Sequence, residues 1–472
     1  MHRRLTPHSA VLALAIAAAA PTARAQFTLS AEVRPRAELR DGFKTPSSEG
    51  FAPAFFVEQR SRLYADYAAP KYSFRFALQD VRLWGQTPQI FKEELGVAFL
   101  SEAWGEFDLG ATPTHRLRVG RQILSYDNQR FLGGLEWAQQ GRRHDAAVYK
   151  YEPAGTGLKL HVVGAFNADD AVPEPRYLQG ESANFYTTPG NYKSLQFAWL
   201  NKAFGNGAGS VSVLALNATL QNPDTTVSNK QTLGLIPRYK LKNGIGLAAD
   251  LYYQTGELGG DDVGAYLLGA NATFPTKVTP ITVGLELISG KDDADATAKV
   301  TNFSPDFGTN HAFNGLMDYF FVGPANGNVG VNDFYAKSKF SLGRGALLAH
   351  VHHFLTGSEQ LDAEGEALDR SMGTELDLVY TRAIAGGVRL HVGYSHLRAT
   401  ETMLALRPGN RVGNNWAWAM MTFKPTLFKQ EPEVEEPELR DVEAVQPTKL
   451  NKPAQETLNK PVVPVGGKAP KG

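Results

Sequence analysis

The chain has 472 residues, which is enough for a large core and excludes a small disulfide-stapled fold. Its 48 basic and 48 acidic residues balance, so no basic excess is present to neutralise the phosphates of a nucleic acid. Cysteine is absent, which excludes disulfides, thiolate catalysis and cysteine-ligated zinc. With 46 glycines and 10% aromatic residues, the composition favours a β-rich chain, either a secreted protein or a membrane barrel with a polar lumen.

Residues 1–25 are typical of an export signal. Arg3 and Arg4 form a positively charged start, and the 11 residues Ala10–Ala20 are apolar. Ala23-Arg24-Ala25 fits the small-x-small cleavage pattern, so the mature chain is predicted to begin at Gln26. A membrane anchor needs ~20 apolar residues, which favours a cleaved signal peptide.

Residues 26–429 alternate apolar and polar side chains, the pattern of half-buried strands. In one example, Phe55 and Leu63 lie on one parity, whereas Arg60 and Arg62 lie on the other. The pattern predicts about eighteen strands, at residues 27–41, 54–68, 72–84, 95–111, 115–124, 145–152, 156–166, 191–204, 208–218, 231–241, 244–256, 263–274, 279–290, 334–342, 345–356, 370–384, 387–398 and 412–424.

Short and long connections alternate between these strands. Long ones span residues 42–53, 125–144, 167–190, 291–333, 357–369 and 399–411. The tight ones are Ala69-Pro70-Lys71, Thr112–Thr114, Pro153-Ala154-Gly155, Gly205-Asn206-Gly207, Lys242-Asn243, Pro275–Val278, Gly343-Arg344-Gly345 and Ala385-Gly386-Gly387. This alternation predicts an all-β fold, a single transmembrane antiparallel β-barrel with short periplasmic turns, long outer loops and both termini in the periplasm. The alternative is a soluble β protein such as a lectin or a polysaccharide lyase.

The last strand and the segment after it differ in kind. Arg411–Trp418 resembles the polar-x-Gly-x-x-aromatic-x-aromatic signal of a final barrel strand. Residues 430–472 contain seven prolines and no aromatic residue, which predicts a disordered periplasmic tail. Its acids precede its lysines, so it is interpreted either as a spacer or as a tether to an export apparatus.

Several segments resemble the alginate export family. They are Val119-Gly120-Arg121-Gln122, Phe131-Leu132-Gly133-Gly134, Trp137, Arg142-Arg143-His144-Asp145, Asn310–Phe320 and Gly373–Leu378. The resemblance covers Gln26 to about Lys424. It implies an eighteen-stranded outer-membrane barrel that passes an anionic polysaccharide through an arginine-rich constriction.

Strand parity predicts a lumen of mixed charge, since residues 26–429 hold 39 basic and 40 acidic residues. Arginine suits a polyuronate because its planar fork pairs with carboxylates and stays charged. Bracing of the wall by salt bridges is the alternative role for each arginine. The basic candidates are Arg34, Arg36, Arg60, Arg62, Arg75, Arg118, Lys337, Lys339 and Arg389. The acidic lumen residues are Glu32, Glu38, Glu58, Asp66, Glu102, Glu106, Asp108, Glu286, Glu375 and Asp377, of which Glu375 and Asp377 are candidates for substrate contact.

The resemblance favours Arg62 and Arg121 as substrate contacts. Strict alternation points Arg121 at lipid, where a charge costs ~2–4 kcal/mol, so a bulge at Gly120 is predicted to turn it inward. The other possibility is a position above the membrane.

The sequence leaves two functions open: an export channel for an anionic polysaccharide, and a passive porin for small solutes, including anionic ones. An exporter is expected to be gated by residues 125–144 or 291–333, whereas a porin conducts constantly. His350 and His352 share a strand face, but no third metal ligand is evident, so no metal or cofactor is predicted. No catalytic motif is present, so an enzyme is not expected.

Overall fold

The computed structural model describes residues 25–48, 50, 52–86, 98–167, 192–222, 226–321, 329–410 and 412–430. The predicted signal peptide, apart from Ala25, and the predicted tail, apart from Gln430, lie outside the described residues. Both remain predictions. Among the residues described, no helix has the length and the apolar content needed to cross a membrane.

The described chain forms one closed antiparallel barrel of 18 strands, as predicted. The strands are β1 (Gln26–Asp41), β2 (Ala54–Ala68), β3 (Tyr72–Leu83), β4 (Ala98–Asp108), β5 (His115–Gln122), β6 (His144–Tyr151), β7 (Leu158–Phe166), β8 (Ser194–Phe204), β9 (Gly209–Gln221), β10 (Val227–Lys240), β11 (Gly246–Leu258), β12 (Asp261–Phe274), β13 (Ile281–Ile288), β14 (Val331–Leu342), β15 (Gly345–Leu355), β16 (Ser371–Ala385), β17 (Val388–Ala399) and β18 (Asn414–Phe423). A short helix, α1 (Glu401–Leu406), and single 3₁₀ turns at Gly205–Gly207 and Asn310–Ala312 lie between the strands.

Each strand pairs with its sequence neighbours, and the sheet closes where β18 pairs with both β17 and β1. The chain then breaks at Lys424 and Pro425 and continues along β1 as the four-residue strand β19 (Thr426–Lys429). Proline cannot donate to the ladder, which accounts for the break, and β19 serves as the end of the eighteenth strand. The eight predicted tight turns all lie at one end of the barrel, the end at which β1 begins.

The faces of the sheet are arranged as in a membrane barrel. Large apolar side chains such as Phe74, Phe76 and Leu233 are exposed on the outer face, whereas polar ones are buried on the inner face. Arg36 is 3% exposed and Glu38 is 0% exposed, although both lie in the middle of β1. This polarity is the reverse of a soluble sandwich, in which charged residues face water and apolar residues fill the core.

The predicted bulge at Gly120 is wrong. The pairing of β5 with β4 and with β6 runs without a register shift, so Arg121 stays on the outer face. There its Nη1 lies 2.8 Å from Oδ2 of Asp145, its direct partner on β6. Because Arg121 is one residue from the end of β5 and carries a paired acid, it avoids the cost of an isolated charge in lipid.

Gly120 is needed for a different reason. Its φ is +122°, and an added Cβ would lie 2.2 Å from the carbonyl oxygen of Ala103 on β4. The register shift in this region lies between β3 and β4, at Ala77 and Leu78. The glycine therefore allows a close approach of β5 to the irregular strand β4.

Candidate functional site

Two long outer connections fold into the lumen. Loop A (residues 123–143) joins β5 to β6, and loop B (residues 289–330, of which 322–328 are not described) joins β13 to β14. Loop A touches strands all around the barrel: Asp127 accepts from Trp199 on β8 at 2.9 Å, and Asn128 donates to Asp250 on β11 at 2.9 Å. These contacts carry loop A across the lumen. The gating role expected of segments 125–144 and 291–333 in an exporter stays a prediction.

Four buried arginines on β1 and β2 form the arginine wall, Arg34, Arg36, Arg60 and Arg62. Alternation in the two antiparallel strands points all four at the lumen, as predicted. Arg34 donates to the backbone oxygen of Glu136 at 2.8 Å and to Oε1 of Gln139 at 2.9 Å. Arg36 donates to the backbone oxygen of Trp137 at 2.8 Å. The arginine wall therefore binds both backbone and side-chain groups of loop A.

The Glu136 carboxylate lies among three guanidinium groups. Its Oε2 is 2.7 Å from Arg62 and 3.1 Å from Arg60, and its Oε1 is 2.9 Å from Arg143 of loop A. Burial opposes ionisation of Glu136, but the positive charges of Arg62, Arg60 and Arg143 outweigh it and lower its pKa to about 2. The wall therefore already binds one carboxylate, supplied by the chain itself.

The wall also contains its own acids. Glu38 binds Arg36 at 2.7 Å, and Glu32 binds Arg60 at 2.6 Å. Each of these carboxylates is almost fully buried, and together they offset part of the positive charge. The mixed lumen predicted from strand parity is therefore present here, with bracing salt bridges and an anion-binding face built from the same arginines.

Aromatic rings hold loop A against the barrel seam. Trp137 stacks on His311 of loop B with ring centroids 4.4 Å apart and meets Trp418 of β18 edge-on at 4.7 Å. The guanidinium carbon of Arg36 lies 4.2 Å from the centre of the Trp137 ring. Loop A, loop B and the closing strand thus share one aromatic cluster, which is worth roughly 0.5–1.5 kcal/mol per ring pair beyond its area.

Towards the end of the barrel with the tight turns, the remaining predicted arginines are less buried. Arg75 pairs with Asp66 at 2.6 Å, and Arg118 pairs with Glu106 at 2.7 Å while lying 3.9 Å from the ring centre of Trp104. A cavity of about 260 Å³ opens beside Arg118. Its lining combines aromatic rings with charges of both signs, including Tyr126, Trp199, Lys150, Lys159, Asp127 and Glu152. Lys339 and Arg389 lie at exposed positions of inner-facing parity on β14 and β17.

The opposite side of the lumen carries the acidic wall, Glu286, Asp333, Glu375 and Asp377. Arg130 of loop A, 1% exposed, makes a two-pronged pair with Glu286 at 2.8 and 2.7 Å. The predicted contact residues Glu375 and Asp377 face the lumen but are fully buried, and Glu375 accepts from the backbone N–H of Met317 in loop B at 2.9 Å. Lys337 faces the same wall, with its Nζ 4.5 Å from the ring centre of Tyr335.

Sequence reasoning missed the residues of loop A that complete the site, above all Glu136, Gln139 and Arg130. They lie in an irregular segment, where strand parity gives no direction. The available signal was their position beside segments that resemble the family, such as Trp137 and Arg142–Asp145.

Comparisons with known proteins agree with this architecture. A family model described as alginate export matches residues 26–326. No curated protein matches the chain in sequence.

Similar solved structures include Pseudomonas aeruginosa OccK2 (OpdF) in complex with glucuronate, at 12% identity and TM-score 0.55, covering 85% of this chain and 97% of that one. A BenF-like porin from Pseudomonas fluorescens Pf-5 has 12% identity and TM-score 0.55, covering 85% and 99%. Acinetobacter baumannii OccAB3 has 11% identity and TM-score 0.54, covering 86% and 99%. At these identities the likeness concerns the fold alone.

Proposed function

The chain belongs to the alginate export family and forms an outer-membrane channel, and from this premise we propose that the channel exports an anionic, alginate-like polysaccharide. A transport role, rather than catalysis, follows from the family and the barrel. The polymer would pass along the arginine wall, with Arg34, Arg36, Arg60 and Arg62 as its principal contacts.

One observation carries this proposal: the Glu136 carboxylate occupies the arginine wall. A uronate carboxylate has the same charge and the same two oxygens, so it can replace Glu136 on Arg60 and Arg62 without new chemistry. Displacement of Glu136 would free loop A from the wall. In this mechanism loop A blocks the resting channel while Glu136 is bound to the arginine wall. The channel opens when the polymer competes with Glu136 for the arginines.

The alternative is a porin for small solutes. It is favoured by the pairing of Arg36 and Arg60 with Glu38 and Glu32, because paired arginines attract a long polyanion less strongly. Glucuronate, the ligand of the OccK2 structure, is a single sugar acid and is a suitable probe for this case.

Single-channel recording in planar bilayers distinguishes the two. For an exporter we expect low conductance at rest and opening when oligouronates displace Glu136. Bound oligomer should then block the opened channel, and this block should strengthen with oligomer length because each added carboxylate meets another arginine. For a porin we expect constant conductance and an effect of glucuronate that does not grow with length. Neutral oligosaccharides of equal length serve as the ligand control.

The variant Arg62→Ala should weaken oligouronate block about tenfold or more, and Arg62→Lys should restore it only in part because lysine lacks the fork. Arg121→Ala is the matched control, since Arg121 lies on the outer face beside Asp145. Equal block in wild type and Arg62→Ala would contradict binding at the arginine wall.

We further propose that residues 430–472 act in the periplasm as a spacer, or as a tether for an export apparatus. Deletion of residues 431–472 should leave heat-modifiable folding and conductance unchanged, because the barrel closes through β18 and β19 without them. Loss of membrane assembly on truncation would contradict this, and a pull-down with the isolated tail would distinguish the tether from the spacer.

A further inference from the structure

A cluster of possible metal ligands lies on the acidic wall, away from the arginine wall. His350 and His352 project from β15 to the lumen, and Asp377 projects from β16. One ligand atom from each of the three lies within 4.8 Å of the others. Asp377 is paired in register with His350, so it is the third ligand that the sequence did not reveal.

His352 is already oriented for coordination. Its Nδ1 lies 2.9 and 2.8 Å from the two carboxylate oxygens of Asp333 on β14. A carboxylate that holds one imidazole nitrogen leaves the other for a metal, and this arrangement recurs behind metal-bound histidines. Nε2 of His352, which is 1% exposed, is thereby directed away from Asp333.

Asp377 supplies an independent observation. It is 1% exposed, and its Oδ1 accepts from Ser395, but its Oδ2 is buried without a hydrogen-bond partner among the described residues. Glu375, two residues earlier on the same face, lies within hydrogen-bonding reach of the Asp377 carboxylate. Adjacent buried carboxylates require a shared proton or a cation. A proton shared by Glu375 and Asp377 is the alternative to a cation bound by Asp377 and the two histidines.

We propose that His350, His352 and Asp377 bind a divalent transition-metal cation, with Zn²⁺ as the best match. Two imidazoles and one carboxylate are a common zinc ligand set, and a water completes the tetrahedron. Tetrahedral zinc needs ligand atoms ~3.4 Å apart, from bonds of ~2.1 Å, so the three side chains close up slightly on binding. The cation would join β15 to β16 and offset the negative charge of the acidic wall.

The Lys337 ammonium group is the main opposing charge. Lys337 is the register partner of His350 on β14, and its Nζ lies over the Tyr335 ring. Lys337 and Arg130 are two cations, and Asp333, Glu286 and Asp377 supply three acids on the same wall, so the local balance before metal binding is still negative. A cation at the cluster is therefore compatible with Lys337 in place.

The test is Zn²⁺ titration of the full-length, tag-free protein in detergent micelles, followed by calorimetry and by metal analysis after dialysis. We expect one Zn²⁺ per chain in the wild type. His350→Ala and Asp377→Asn should each weaken binding at least tenfold while retaining heat-modifiable folding. His353→Ala is the matched control, since His353 is the next residue, exposed on the outer face beside Thr374.

A second measurement gives a spectroscopic signature of metal coordination in the wild type. Co²⁺ in place of Zn²⁺ should give a visible absorption band in the wild type and in His353→Ala, and not in His350→Ala. Less than half an equivalent of bound Zn²⁺ in the wild type, or an equal loss of binding in His353→Ala and His350→Ala, would overturn the proposal.

Discussion

The two charged walls of the lumen satisfy their buried charges in different ways. On the arginine wall, Arg60 and Arg62 form ion pairs with the Glu136 carboxylate, and Arg36 forms one with Glu38. On the acidic wall, Glu286 forms an ion pair with Arg130, whereas the adjacent buried carboxylates of Glu375 and Asp377 form no ion pair with an arginine or lysine in the described part of the chain. Loop A supplies one carboxylate to the arginine wall and one guanidinium group to the acidic wall, so it neutralises each wall only in part. The acidic wall is therefore still able to accept a cation.

The largest effect is expected from Arg130→Ala. Arg130 is the link between loop A and the acidic wall, and its removal leaves Glu286 charged, buried and unpaired. Loss of one partner of a buried pair costs ~3–5 kcal/mol. Urea unfolding in micelles should show this loss in the free energy of unfolding.

Arg121→Ala provides the exposed counterpart to that variant. Its pair with Asp145 keeps 39% and 53% of the two side chains exposed, so the expected cost is ~0.2–1 kcal/mol. Equal destabilisation by the two variants would show that burial in the lumen is not what makes the Arg130 pair important.

On the arginine wall, Glu136→Gln should release loop A and expose unneutralised guanidinium groups. We expect higher single-channel conductance and a shift of the reversal potential towards anion selectivity, because Arg60, Arg62 and Arg143 lose their shared partner. Glu364→Gln, at an exposed outer position, is the control. Unchanged selectivity in Glu136→Gln would assign the arginines to bracing of the wall alone.

Acid should separate the docked and free states of loop A. The pKa of Glu136 is lowered from the ordinary 4.5 to about 2 in the docked loop. A depressed carboxyl pKa stabilises docking fully above pH 4.5, and the stabilisation falls as the pH drops towards 2. Conductance of the wild type should therefore rise over that interval. The Glu136→Gln channel should not respond there, and an identical rise in both would point to another group.

The smallest effect is expected from Asp66→Asn. Asp66 pairs with Arg75, but 33% and 34% of the two side chains remain exposed. Solvent screens such pairs, so the cost should stay near ~0.2–1 kcal/mol by urea unfolding, with little change in oligouronate block. A larger loss of block would extend the arginine wall to this end of the barrel.

Strand parity predicted the strands and the direction of their side chains, because alternation is a local property of each strand. The barrel itself was predicted from the alternation of short and long connections. Arg34, Arg60 and Arg118 point inward as predicted. Parity also gave the correct outward direction for Arg121. The wrong prediction was the bulge at Gly120, which was added because the family resemblance favoured Arg121 as a residue of the lumen. The acid that makes the outer position tolerable, Asp145, lies on the neighbouring strand across a long loop.

The completed sites could not be predicted, since they depend on contacts between distant segments. Glu136 reaches Arg62 over 74 residues, and its segment has no periodicity from which a direction follows. Asp377 lies beside His350 only because of the register between β15 and β16. A slip of one residue in that register would place Asp377 on the other face of the sheet.

The position of Trp137 has a consequence for the order of folding. Its ring meets Trp416 and Trp418 on the last strand, and other contacts of loop A join residues 105 and 156 positions apart. Contacts of such sequence separation form late, because the connecting chain must first be ordered. Loop A can reach its final place only once β18 has joined β1. We therefore expect the packing of Trp137 to be a late step of assembly that follows closure of the barrel.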